Sequence, residues 1–139
     1  MQTRYYPPEI SHDWLTEETL RLYPSHRTCR SYIENAVAEY IKFWRLIVSY
    51  PDMRIVAPCT ILAVHRVHWL HREIYFADCM QYFNRYLFEE MAWGGRSDIT
   101  GTMETARSYI DLYDEQPSDP WHDLMYEYNL GHSFLYVVQ

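Results

Sequence analysis

The chain contains little glycine, on which loop-rich domains depend, and little cysteine, on which disulfide-stabilised domains depend. Of its 139 residues, 4 are Gly and 3 are Cys, and no two cysteines form a Cys-x-x-Cys pair. An odd number of scattered cysteines, here Cys29, Cys59 and Cys79, is typical of reduced thiols. We therefore expect an intracellular protein of a reducing compartment, and the sequence does not identify an organelle.

Long hydrophobic runs and basic clusters are also missing. The longest apolar run, residues 55–64, includes Pro58 and Thr60 and falls far short of the ~20 residues that a membrane-spanning helix requires. No Lys/Arg cluster is longer than a dipeptide, and the net charge is −7. Because an acidic surface repels phosphate groups, we expect no nucleic-acid partner, and we expect no membrane span. The first residues lack the apolar stretch of a signal peptide.

Aromatic residues are abundant, at 17% of the chain, with 14 Tyr and 5 Trp. Their apolar bodies and polar tips suit protein interfaces. Several tyrosines lie toward the two ends of the chain: Tyr5, Tyr6, Tyr126, Tyr128 and Tyr136. We therefore predict protein partners that bind these aromatic terminal arms.

Apolar periodicity predicts an all-α fold. Residues 29–49 carry one apolar stripe at helical spacing, and residues 60–86 contain neither Pro nor Gly, which is enough for a helix of about 38 Å. Shorter helices are predicted at 16–23, 102–113 and 121–128, with a loop at 93–97. We expect a single-domain bundle of four to six helices, two of them long. Its predicted parts are an extended arm (1–15), a helical domain (16–128) and an apolar C-terminal tail (129–139).

The best candidate for chemistry is His65-x-x-His68-x-x-His71, which holds three of the seven histidines. On a helix the three imidazoles spread over about 120° and climb nearly two turns, so that neighbours can share an ion but all three together would be strained. Zinc takes three or four ligands. A zinc or iron site here would need help, for which the candidates are His122, Asp78, Cys79 and Glu39. Alternatively, these histidines are half-buried and donate hydrogen bonds to carboxylates, and no cofactor is bound.

The candidate catalytic residues are His68, His65, His71, Asp78 and Cys79. Cys79 lies roughly 12 Å along the axis from His71 if the helix is straight, which is too far for a Cys–His pair. We expect Cys79 to be a small buried residue, and Asp78 to cap a helix or pair with an arginine such as Arg85 or Arg96. The chain has no Glu-x-x-His, the signature of di-iron carboxylate bundles, and no Gly-x-Ser-x-Gly elbow.

Three segments carry a family resemblance. They are CRSYIENAVAEYIKFWRLIVSYPD (29–52), YFADCMQYFNRYLFEEMAWGGR (75–96) and ETARSYIDLYDEQPSDPW (104–121). In order and spacing they resemble the glycine-rich-domain-containing-protein-like family, most closely its short stand-alone bacterial and protist members. Those members read Trp-His-x-His, then Tyr-x-x-Asp-Cys, then a Phe-Gly-x-Arg-Gly loop. The resemblance implies a helical fold over residues 29–121 and implies no particular reaction.

The departures from this family fall on its polar residues. Only His68 matches a family histidine, Leu62 stands at the family's Asp, and Phe88-Glu89 stands at its His-His pair. Asp78-Cys79 and the Trp93-Gly94 loop match. A weaker resemblance, to fungal peptide-cyclising oxidases of the ustiloxin type with His-x-x-His-Cys motifs, fails because Trp69 follows His68.

Two functions remain open from the sequence. The eroded family motif and the aromatic arms favour a non-catalytic helical interaction protein, such as a small subunit of a larger assembly. The histidine density favours a small metal-assisted enzyme that uses His65, His68 and His71.

Overall fold

The fold is mostly helical, as the computed structural model of the chain shows. It describes residues 10–23, 30–50, 55–57, 59–92, 96–114 and 132–137. In these residues five helices and three short strands follow one another: α1 (His12–Leu22), α2 (Arg30–Ser49), β1 (Ile55–Ala57), α3 (Cys59–Leu70), α4 (Arg72–Phe83), β2 (Leu87–Ala92), α5 (Arg96–Tyr113) and β3 (His132–Val137). The predicted helical bundle is confirmed, and a small sheet, which the sequence did not predict, is added to it.

Helix α1 begins earlier than predicted. Ser11 is its N-cap, and the Ser11 Oγ accepts a hydrogen bond from the Trp14 backbone N–H at 3.2 Å, which satisfies one of the free amides at a helix start. Residues 12–15, assigned from the sequence to an extended arm, are therefore helical. Thr16 is a buried residue of the second turn. The rest of the predicted arm, residues 1–9, lies outside the described residues.

The predicted long helix over residues 60–86 is two helices. It breaks at His71, whose backbone has φ −92° and ψ 71°, outside the helical region. The chain then starts again as α4, which ends at Asn84 in a left-handed conformation with φ 58°, one that asparagine tolerates better than most residues. The break lets α3 and α4 pack against each other as two short helices.

The three strands form an antiparallel sheet in the order β1-β3-β2. Leu135 in the central strand is paired with Ile55 of β1 on one side and with Glu89 of β2 on the other. The predicted apolar tail is thus an internal strand over residues 132–137, and Tyr136 of the aromatic arms is paired with Phe88. The other tyrosines of the predicted arms lie outside the described part of the chain.

Helix α2 forms the centre of the core. Trp44 is fully buried, and its ring lies 4.8 Å from that of Phe83 and 6.0 Å from that of Tyr82 on α4. Helix α5 covers the other side through Tyr109, which is also fully buried. This helix starts at residue 96, so the predicted loop at 93–97 is wrong for its last two residues. The predicted helix at 121–128 lies outside the described residues.

None of the described helices combines the length and the apolar character that crossing a lipid bilayer requires. This agrees with the short apolar runs in the sequence.

We predict that Trp44→Ala lowers the free energy of unfolding by about 3–5 kcal/mol, because it empties the largest buried side-chain volume between α2 and α4. Trp69→Ala is the matched control, since Trp69 is 41% exposed and its loss should cost less than about 1 kcal/mol. Urea denaturation followed by circular dichroism measures both. Equal losses in the two variants would contradict this packing.

Candidate functional site

A buried polar network lies where α2, α3 and α4 meet. His65 and His68 on α3 are three residues apart, as are Tyr75 and Asp78 on α4, so each pair shares one helix face. The two faces meet: the His65 Nε2 lies 3.1 Å from the Tyr75 hydroxyl, and the His68 Nε2 lies 2.8 Å from the Asp78 Oδ2. Both contacts join residues ten apart in sequence, which is the spacing set by the break at His71.

His68 is the centre of this network. It is fully buried, and besides Asp78 it contacts the Tyr40 hydroxyl on α2, which lies 2.8 Å from its Nδ1. The Asp78 carboxylate accepts a hydrogen bond, so the His68 Nε2 carries a proton. Among the described residues, the Tyr40 hydroxyl contacts no other side chain that could accept its proton. We therefore predict that it donates to an unprotonated Nδ1 of His68.

Aromatic rings enclose the His68 imidazole. Its centroid lies 5.7 Å from the ring of Tyr40, 5.5 Å from that of Trp44 and 5.0 Å from that of Tyr75. Such contacts fix the orientation of the imidazole and exclude water from it. Burial also raises the pKa of Tyr40 well above its usual value. The Asp78–His68–Tyr40 arrangement resembles the acid–base part of a catalytic triad, but the group in the nucleophile position is a buried phenol that keeps its proton.

His65 belongs to a second hydrogen-bonded chain. Its Nε2 faces the Tyr75 hydroxyl, which donates to the Leu87 carbonyl oxygen at 2.8 Å. The same histidine lines a cavity of about 390 Å³ together with four other residues: Arg66, Trp69, Leu87 and Phe88. A volume of this size is in the range of small-ligand pockets. In this cavity a member of the polar network borders an open space.

Cys79 is an unreactive thiol. It is fully buried, as the sequence suggested, and burial raises its pKa to about 11, although the Leu87 backbone N–H and the Tyr75 hydroxyl favour the thiolate. At neutral pH the group is a protonated thiol, and the thiolate is the nucleophilic form. A cysteine nucleophile at this position is therefore not supported.

His71 lies apart from the other two histidines. Its Nε2 is 2.9 Å from the Glu18 Oε1 on α1, and its ring packs edge-on against Trp14 at 4.9 Å. Arg21 lowers the pKa of Glu18, and His71 adds to this effect. His71 thus joins α1 to the α3–α4 junction, where its ring is partly exposed.

The three imidazoles therefore contact three different partners and do not converge. Among the described residues, no three His, Cys, Asp or Glu side chains come together in a way that could hold a metal ion. Of the suggested helper ligands, Glu39 is buried on α2 and accepts a hydrogen bond from the Tyr109 hydroxyl at 2.9 Å. His122 lies outside the described residues.

Three residues of the network, His65, His68 and Asp78, were candidates from the sequence, which did not predict how they are joined. Asp78 was expected to cap a helix or to pair with an arginine such as Arg85 or Arg96, and its contact with His68 was not predicted. Tyr40 was placed in the apolar stripe of α2, where its ring does lie, and its hydroxyl was not considered. A tyrosine at a core position of a helix indicates a buried hydrogen bond, because a buried hydroxyl needs a hydrogen-bond partner.

Compared with known proteins, the chain matches no family model, no curated protein and no solved structure.

We predict that Tyr40→Phe lowers the free energy of unfolding by about 1–3 kcal/mol, because it leaves the buried Nδ1 of His68 without a donor. Tyr86→Phe serves as the control, since Tyr86 is 44% exposed and the change should stay within about 0.5 kcal/mol. Chemical denaturation at pH 7 compares the two variants. If both have the stability of the wild type, Tyr40 does not donate to His68.

We also predict that stability falls as the pH rises from 9 to 11. The pKa of Cys79 is 9.0 in an exposed thiol and about 11 in the fold, so over this range the folded state holds a proton that the unfolded state has lost. The contribution is complete below pH 9 and disappears as the pH passes the folded value. Urea titrations at several pH values should show a shallower decline for Cys79→Ala than for the wild type. Parallel declines would rule out this linkage.

Proposed function

We propose that the chain is a non-catalytic helical protein that binds a protein partner, such as a small subunit of a larger assembly. The observation that supports this most strongly is a band of large apolar side chains left on the surface. Six of them, on α3, α4 and the β2 region, are between 40% and 44% exposed: Ile74 and the set formed by Trp69, Phe76, Met80, Tyr86 and Phe88. We call this set the apolar band.

The members of the apolar band are neighbours. The rings of Phe76 and Tyr86 are 4.9 Å apart, and Met80 lies one helical turn beyond Phe76 on α4. Tyr86 directly precedes β2, and Phe88 is the second residue of that strand. Phe88 and Trp69 line the same cavity. A continuous exposed apolar surface of this kind favours a binding site for another protein.

The polar network supports the same conclusion. His68, Tyr40 and Cys79 are fully buried, and the hydrogen bonds of His68 go to other side chains of the chain itself. A catalytic acid or base has to reach its substrate. We infer that these groups stabilise the junction of α2, α3 and α4, on which the apolar band is built.

The aromatic terminal arms remain part of the proposal as a second contact region. Their described member, Tyr136, is paired within the sheet. The contact proposed for the arms therefore involves the other four tyrosines, which lie outside the described residues: Tyr5, Tyr6, Tyr126 and Tyr128.

We also propose that the chain shares ancestry with the glycine-rich-domain-containing-protein-like family. Around the polar network, most of the resemblance depends on three residues that lie in one cluster: His68, Asp78 and Cys79. Hydrogen bonding between His68 and Asp78 gives a physical reason why the two motifs would be retained together while the family's other polar residues were lost.

A small metal-assisted enzyme is the second candidate function. Its support is the cavity that His65 lines, since zinc or iron there would be open to a substrate. His68 and His71 direct their Nε2 atoms to Asp78 and Glu18, so a metal would have to recruit other ligands.

We predict that the native chain co-elutes with a partner in size exclusion, well above its own 16.9 kDa, and that the double variant Phe76→Ser/Met80→Ser elutes alone. The expected loss is at least tenfold in affinity, because both side chains leave the centre of the apolar band. Arg107→Ser on the exposed side of α5 is the control and should keep the complex. A wild-type chain that elutes as a monomer from its native source would contradict the proposed function.

We further predict that chain purified without a tag and dialysed against a chelator retains less than stoichiometric zinc or iron. His65→Gln and His71→Gln should leave this residual metal unchanged. Stoichiometric metal that is lost in either variant would favour the enzyme instead.

A further inference from the structure

The two outer strands of the sheet differ in how their outer edges are covered. At β1, the Val56 backbone N–H points outward and donates to the Thr105 Oγ1 of α5 at 3.1 Å, so α5 covers this edge. At β2, the Leu87 carbonyl oxygen accepts from the Tyr75 hydroxyl of α4. Helix α4 therefore covers the outer edge of β2 at its first residue.

Beyond Leu87 the outer edge of β2 continues without a neighbouring strand in the described part of the chain. Backbone groups alternate in direction along an antiparallel strand. Because the Leu87 carbonyl points away from β3, the backbone groups of Glu89 and Met91 also point outward, and those of Phe88, Glu90 and Ala92 point to β3. Glu89 and Met91 thus present the hydrogen-bonding groups to which another strand could add.

The covered end of this edge adjoins the cavity. Leu87 and Phe88 line the cavity of about 390 Å³ from the side of β2, and the described lining residues of α3 are His65, Arg66 and Trp69. Strand addition next to a side-chain pocket is an established mode of peptide recognition, in which the backbone bonds supply affinity and the pocket supplies specificity. An apolar or aromatic side chain matches the walls of Trp69, Leu87 and Phe88.

The charge of β2 indicates which segment would add to it. Glu89 and Glu90 are adjacent in the strand, and the chain as a whole has a net charge of −7. If a second copy of β2 paired antiparallel through these outward groups over five residues, Glu89 would lie opposite Glu89 of the other copy, or Glu90 opposite Glu90. Like charges in that position are destabilising. A strand with Lys or Arg in register with these glutamates would instead gain opposite-charge pairs.

We propose that β2 accepts an extended, basic segment of a partner protein as an added strand, with an apolar side chain of that segment in the cavity beside His65. This rests on the proposed protein-binding function and specifies the chemical class of the partner. The segment forms backbone hydrogen bonds with Glu89 and Met91, and its side-chain specificity comes from Trp69 and Phe88.

Met91→Pro tests the backbone part of this proposal. Proline removes the outward N–H of Met91 and is tolerated where the N–H side of an edge strand faces outward, so the sheet should still form. Met91→Ala is the matched control, since it changes the side chain and keeps the N–H. Circular dichroism and thermal unfolding establish that both variants fold.

The probe is a library of random ten-residue peptides displayed on phage and selected on the immobilised wild-type chain. We expect enriched peptides that combine an aromatic or branched apolar residue with Lys or Arg. Titration calorimetry of the best peptide should show affinity at least tenfold weaker for Met91→Pro and within twofold of the wild type for Met91→Ala. Enrichment of acidic peptides, or equal affinity for the proline variant, would overturn the proposal.

Amide exchange of the free chain is the second readout. Rapid exchange at Glu89 and Met91 that slows when the selected peptide binds supports an added strand. Slow exchange in the free chain would mean that another part of the same chain, or a second copy, already covers this edge, and the proposal would be wrong. If Met91→Pro keeps the native complex while Phe76→Ser/Met80→Ser loses it, the protein-binding function stands and strand addition fails.

Discussion

The buried His68 imidazole, held between Asp78 and Tyr40, is the interaction on which the rest of the structure depends. It connects α2, α3 and α4 through two hydrogen bonds of 2.8 Å, and three aromatic rings seal it from water. In such a setting each bond is strengthened by the low local dielectric, and removal of one partner leaves a buried polar group unsatisfied. The network therefore specifies how the three helices meet as well as adding to their stability.

Because the hydrogen bonds of His68 are used inside the fold, the proposed function is placed on the surface. His68, Tyr40 and Cys79 are buried inside the fold, whereas α3, α4 and the β2 region leave large apolar side chains on the surface. The apolar band on α3 and α4 and the outer edge of β2 meet at Phe88 and the cavity beside it. The two proposed contacts, with the apolar band and with an added strand, therefore adjoin each other at Phe88.

Local periodicity was sufficient to predict much of the helical fold. It failed where contacts between residues far apart in sequence determine the structure. The stripe of α2 predicted that helix almost to the residue, because its buried face repeats within the helix itself. No Pro or Gly marks the break at His71 in the sequence. The break follows from the packing of α4 back against α3. Strand β1 is paired with residues about 80 positions away along the chain, and no short stretch of sequence contains that information.

The sequence named His65, His68 and Asp78 as candidates, because histidines and a carboxylate at helical spacing are conspicuous in a sequence. It did not predict the contacts that join them, and their role in a function stays a prediction. Their partners came from elements whose relative placement the sequence does not reveal, above all Tyr40 on α2. A metal site was the natural alternative for three clustered histidines, and the turn at His71 separates the third of them from the other two.

The protonation of His68 tests this account most directly. Proton-detected nitrogen NMR of the imidazole at pH 7 reports which ring nitrogen carries a proton and how fast that proton exchanges with water. The account predicts a neutral ring with the proton on Nε2, an unprotonated Nδ1 and slow exchange. A doubly protonated ring, a proton on Nδ1 alone, or rapid exchange with solvent would contradict it.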